Sequence, residues 1–137
     1  MISLRDIRDY IATLGIAEDE HCYMGILPDK QLESIGTYPL RRNGRTETVG
    51  GSDNRSYEAK SASFLVHWNK SSSETENAAY GLFCALEKTK METVNGHTIK
   101  FVMLNSDEPI WVGSDQKGIY EYVIECVFYF ERKEDEE

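Results

Sequence analysis

The sequence is poor in the residues from which most active sites are built. Its three cysteines, Cys22, Cys84 and Cys126, lie far apart among apolar neighbours and form no Cys-x-x-Cys pair. That excludes a zinc ribbon and a thioredoxin-like site and leaves three small buried thiols as the simplest reading. The three histidines, His21, His67 and His97, show no His-x-His or His-x-x-x-His spacing. A metal site would need distant residues to meet, and none is expected. No Gly-x-Ser-x-Gly surrounds Ser71 to Ser73, and Gly50-Gly51 and Gly113…Gly118 lack the lysine and the strand–helix setting of a phosphate loop. Asp107-Glu108 reads as a solvated turn. No catalytic, cofactor-binding or metal-ligating residue is therefore assigned, and an enzyme is not expected. No apolar run approaches a membrane span, and Met1-Ile-Ser-Leu-Arg-Asp6 lacks the basic and long apolar parts of a signal peptide, so a cytoplasmic start is expected.

Positive charge is also scarce. Fifteen lysines and arginines face 24 acids, for a net charge of −9. A sequence-specific nucleic-acid surface, which needs clustered cations to neutralise phosphates, is not expected. Arg41, Arg42, Arg45 and Arg55 nevertheless bracket a segment whose only acids are Glu47 and Asp53, while Glu134-Asp-Glu-Glu137 is purely acidic. Both read as solvated surface or as complementary charge between copies or with a partner.

What is present is enough for one domain: 137 residues, 40% of them apolar. The dominant run is Gly118 to Glu131, rich in β-branched and aromatic residues. Alternation puts Tyr120, Tyr122, Ile124, Cys126, Phe128 and Phe130 on one face. Glu121, Val123, Glu125, Val127, Tyr129 and Glu131 fall on the other. This strand is expected to be central, with a helix over its apolar face. Glu121 and Glu125 would repel unless exposed or matched by arginine or lysine on a neighbouring strand, and they read as surface or subunit contacts.

Residues 3–14 read as an amphipathic helix with Ile2, Ile7, Ile11, Leu14 and Tyr10 inward, Ser3 and Asp6 forming a near capping box, and Gly15 as the stop. Arg5, Asp6, Arg8 and Asp9 are its exposed side. His21–Leu27 and Ser34–Leu40 read as a strand pair joined as a hairpin, with Pro39 marking an edge or an end. Residues 41–55 have little apolar content. Ordering them costs on the order of 15–30 kcal/mol of backbone entropy. They are expected to be mobile until a partner orders them, as a plain loop or, through Asn43-Gly44, as a β-hairpin arm. Tyr57–Trp68 is a strand with Phe64, Val66 and Trp68 on one side and Leu65 and His67 on the other. Ser73–Lys88 is the main helix, with Ser73 as cap, Glu76 as its box partner and an inward stripe of Ala79, Leu82, Phe83 and Leu86. Gly96–Leu104 is a strand with Ile99, Phe101 and Met103 on one face. Ile110–Val112 is a short extended piece whose Trp111 either packs over the end of the sheet or anchors an interface.

These elements predict an α+β fold over residues 1–131, in which a mixed, mostly antiparallel sheet carries two helices on one face, with a long flexible loop or arm at 41–55. An acidic disordered tail is expected at 132–137.

The helix Glu76-Asn77-Ala78…Phe83…Leu86, the strand Thr98–Leu104, Pro109-Ile-Trp-Val-Gly-Ser-Asp115 and Gly118-Ile-Tyr-Glu121 opening a terminal strand resemble the minor capsid and tail-terminator (tail completion) proteins of long-tailed bacteriophages and prophages. The first helix, followed by a strand ending near Pro28, also fits. The resemblance implies a structural protein without catalytic residues. It implies a ring, in the virion a hexamer, that caps the tail tube, stops its polymerisation and offers the surface to which the head connector attaches. The implied partners are other copies of the chain, the major tail tube protein and the head–tail connector. The implied place is the host cytoplasm during assembly and then the head–tail junction of the virion. Arg41, Arg42, Arg45, Arg55, Trp111, Glu121 and Glu125 are the candidate interface residues. Two other readings stand beside it. One is a small-molecule-binding or enzymatic domain with a pocket between main helix and sheet. The other is an antidefence or regulatory phage protein on the same scaffold.

Overall fold

A computed structural model describes residues 1–25, 27–28, 31–40 and 57–131. The candidates Arg41, Arg42, Arg45 and Arg55, the 41–55 arm and the acidic tail lie outside the described residues. In chain order the elements are α1 (Leu4–Thr13), a 3-10 turn (Asp19–His21), β1 (Cys22–Met24), β2 (Ser34–Pro39), β3 (Tyr57–His67), α2 (Ser72–Glu87), β4 (Lys90–Val94), β5 (His97–Leu104), β6 (Ile110–Ser114) and β7 (Tyr120–Glu131). The fold is α+β. Its seven-stranded sheet runs β1-β2-β3-β7-β5-β4, with β6 also paired to β7.

The terminal strand is central, as its composition demands. β3 lies antiparallel along one edge from Tyr57↔Glu131 to His67↔Glu121. β5 and β6 share the other edge end to end, β5 against residues 126–130 and β6 against residues 120–123. Tyr122, Ile124, Cys126, Phe128 and Phe130 are buried with Ala62, Phe64 and Val66 of β3 under both helices. From α1, the Tyr10 ring meets Phe128 edge-on, and from α2 the predicted stripe of Ala79, Leu82, Phe83 and Leu86 is buried.

Several expectations are corrected. β1 and β2 pair parallel rather than as a hairpin. Gly25 and Glu33 both have positive φ, which lets the chain double back to the start of β1, and Gly25 N–H donates to Thr37 O at 3.0 Å. The cap of α2 lies two residues earlier than expected, at Ser71 rather than Ser73, its hydroxyl accepting from Glu74 N–H at 3.2 Å. In β5 an irregularity between Ile99 and Phe101 breaks the alternation. Ile99 and Val102 are buried, and Phe101 and Met103 face away from the helices. An extra residue on one strand has this effect because side-chain direction has period two. β4 was not expected at all. It pairs with β5 through the turn Asn95-Gly96, both residues at positive φ.

The capping box of α1 is complete: Ser3 Oγ accepts Asp6 N–H at 3.1 Å, and Asp6 Oδ2 accepts Ser3 N–H at 2.9 Å. Most of the polar side of α1 is tied to neighbouring elements, with Arg5 left exposed. Arg8 Nε donates to Cys22 O at 2.8 Å and its guanidinium pairs with Asp19, tying α1 to β1. Asn95 Nδ2 donates to Asp6 Oδ1 and Asp9 Oδ2, both at 2.9 Å, tying the same helix to the β4–β5 turn.

These bonds make acid stability depend on the helix. The Asn95 amide is the main reason that the Asp9 carboxyl titrates below its ordinary value; burial opposes it, and Arg8 and Arg5 reinforce it. For Asp6, burial is the largest influence and raises the pKa, but bonds from Ser3 and Asn95 with the charge of His97 outweigh it, and the net shift is downward. A carboxyl whose folded pKa is depressed contributes stability above its unfolded pKa and loses it as pH falls through the folded value. Asn95→Gly keeps the positive φ and removes the amide. It should cost about 1–2 kcal/mol near neutrality. In denaturant titrations from about pH 7 to about pH 3 the gap should narrow below about pH 4 as the carboxyls of both proteins protonate.

Candidate assembly surface and polar pocket

The two faces of the sheet differ in kind. The face beneath the helices is closed: Phe64, Leu82, Leu86, Cys126 and Phe128 have no exposed area. Among the described residues helix and sheet are packed together there, and open pockets of about 370 and 400 Å³ lie elsewhere.

The opposite face carries no element of the described chain, yet it is largely apolar. Cross-strand pairing sets it out in rows. Phe101 sits opposite Tyr129, and their rings stack at 4.7 Å. Met103 sits opposite Val127, and Ile110 and Leu65 flank Val123. Phe101, Met103 and Ile110 are 41%, 54% and 41% exposed. Phe101 and Met103 are open to water in adjacent rows, and Ile110 lies beyond the intervening Glu125–Ser63 row, whereas exposed apolar residues of a monomer are normally scattered singly. Glu125 lies on this face opposite Ser63, half-buried.

The remaining predicted residues do not join into one site. Trp111 is not core. It pairs with Tyr122, stands on the helix side of the sheet and is 54% exposed. Its ring contacts those of Tyr120 and Tyr122 at 5.6 and 5.4 Å. Val112, beside it at the irregularity in β6, is also exposed. Glu121 is committed within the chain: its Oε2 accepts from His67 Nδ1 at 2.8 Å, across the register pair that joins β3 to β7. The residue opposite Glu121 is neither arginine nor lysine but His67, which holds it by a hydrogen bond.

Sequence reasoning missed a third member of this cluster. Asp115, in the turn between β6 and β7, brings its carboxylate close to the pair, and the ligand atoms of His67, Asp115 and Glu121 lie within 4.8 Å of one another. Asp115 Oδ1 accepts two backbone N–H groups, from Lys117 at 2.8 Å and Ile119 at 3.0 Å. The Ile119 bond is the leading cause that holds this carboxyl below its ordinary pKa; burial opposes it, and the Lys117 N–H and the charges of His67 and Lys117 add to it. The three side chains line the pocket of about 370 Å³ together with Leu27, Pro28, Leu65, Gln116 and Lys117. Among the described residues no helix is long and apolar enough to cross a membrane.

Compared with known proteins, residues 10–132 match the family model described as bacteriophage tail terminator protein. No curated protein matches the chain.

The commitment of Glu121 has a measurable consequence. Glu121→Ala leaves the buried His67 ring without its acceptor and should cost about 1–3 kcal/mol in thermal or urea unfolding. Glu125→Ala, on the same strand face, removes no side-chain bond among the described residues and should stay within about 0.5 kcal/mol.

Proposed function

The chain belongs to the bacteriophage tail terminator protein family and is thus a phage tail structural protein; from that premise we propose that copies of it close into a ring, a hexamer, on the end of the tail tube. The ring stops tube growth and forms the surface to which the head connector joins. It assembles in the host cytoplasm and remains at the head–tail junction of the virion.

The observation that carries this reading is the uncovered apolar face of the sheet. The hydrophobic effect favours removing Phe101, Met103, Ile110 and their neighbours from water, at about 25 cal/mol per Å² of apolar surface, and nothing in the described chain does so. A ring is built from heterologous contacts, in which one patch meets a different patch of the next copy. The open face supplies one such patch. Trp111, on the helix side of β6, supplies an exposed aromatic anchor for a second. Glu125 remains available for an intersubunit ion pair, whereas Glu121 is held by His67. Arg41, Arg42, Arg45 and Arg55, in the segment joining β2 to β3, are the proposed cations opposite Glu125 and the acidic 134–137 of a neighbouring copy or the tube. The free chain can be monomeric if the tube end templates the ring.

Two measurements test this. In electron micrographs, particles made without the protein should show abnormally long tails or tails detached from filled heads; normal joined virions would overturn the proposal. Met103→Asp places a charge on the open face at a position already exposed. It should leave unfolding stability within about 1 kcal/mol of wild type while abolishing the ring–tube complex in native mass measurement. A variant that still forms the complex would remove the open face from the interface.

A further inference from the structure

We propose that His67, Asp115 and Glu121 form a binding site for a divalent transition-metal ion of the zinc, cobalt or manganese type. The three ligands come from three separately fixed pieces of backbone. His67 and Glu121 are register partners at the end of the β3–β7 ladder. Asp115 is fixed by the two backbone N–H groups that bind its Oδ1, which leaves Oδ2 for a further contact. None of the three positions depends on a residue outside the described chain, and the Glu121 side chain is held by its bond to His67.

The spacing suits an ion. Ligands at about 2.0–2.2 Å from a tetrahedral metal stand roughly 3.4 Å apart. The His67 Nδ1–Glu121 Oε2 separation is 2.8 Å, and all three ligand atoms lie within 4.8 Å. Closing the set requires side-chain adjustments of about an ångström. The donor types select among ions. One imidazole with two carboxylates matches zinc, cobalt and manganese, whereas magnesium and calcium prefer oxygen alone. The His67 side chain is only 9% exposed and that of Glu121 17%, so both reach the pocket partly stripped of water. The pocket itself is open, which gives an ion a way in and leaves room for water to complete its coordination. Lys117 on the pocket rim is the competing cation, but its contact with Asp115 is through its backbone N–H.

Here an ion replaces the proton between His67 and Glu121 and draws in Asp115, joining the β6–β7 turn to the end of β3. This does not depend on ring formation and is read on the isolated chain.

The test is calorimetric titration of the full chain, purified without a histidine tag, with Zn2+, Mg2+ and Co2+. Zn2+ should give a saturable one-to-one isotherm, and bound Co2+ should show ligand-field absorption. His67→Gln and Asp115→Asn should each weaken Zn2+ binding by about tenfold or more. Asp115→Asn keeps an oxygen for the two backbone N–H groups, so it decides the matter even if His67→Gln fails to fold. Mg2+ should bind more weakly than Zn2+. The proposal is overturned if Zn2+ shows no saturable binding, if both variants bind as wild type, which would move the ion to other histidines or acids, or if Mg2+ binds as well as Zn2+.

Discussion

Everything else in the fold follows from β7 having a partner on both edges and two unlike faces. Its ladder with β3 runs unbroken from Tyr57↔Glu131 to His67↔Glu121. A slip of one residue would turn Phe128 and Ile124 to water and bring Glu125 under the helices, so the register is strongly specified. Once it is set, the helices have one place to lie, and the other side of the sheet is left to whatever the chain meets outside itself. The same register delivers His67 to Glu121.

Those parts of the fold were legible where local pattern and tertiary environment agree. The clean alternation along β7 announced its buried face. Ser3 and Asp6 announced the start of α1, because a capping box is a short-range device whose partners lie three residues apart. Legibility failed where a single backbone event overrides the pattern. In β5 an irregularity after Ile99 reassigns Phe101 and Met103 to the open face, and nothing in Thr98-Ile-Lys-Phe-Val-Met103 marks it. β4 was invisible because Lys90, Met91, Glu92 and Thr93 form an edge strand with little to bury. The parallel pairing of β1 and β2 turned on two positive-φ residues, one of them the non-glycine Glu33.

The candidate site was less readable, for a related reason. Its groups are distant in sequence, and the test applied to the histidines looked for local spacing. His67, Asp115 and Glu121 meet only because β6 folds back on β7 and β3 runs beside it. The one available signal was that Glu121, on a central strand, called for solvent or a partner on a neighbouring strand. The nature of the protein, by contrast, was legible through the resemblance carried by the second half of the chain, and the family match over residues 10–132 agrees with it.

The attachments of α1 also bear on how the chain folds. The helix touches β1 and β4, which stand at opposite ends of the strand order, and its bonds to Asn95 span 89 and 86 residues. It therefore acts as a keystone across the hollow of a curled sheet. Neither rim of the sheet alone offers it a complete seat, and closing loops of that length is entropically slow. Docking of α1 should be a late event that converts a set of paired strands into a cooperative unit. Its Asp6 and Asp9 side chains are then more than solubilising charge, because they are among the last bolts fastened.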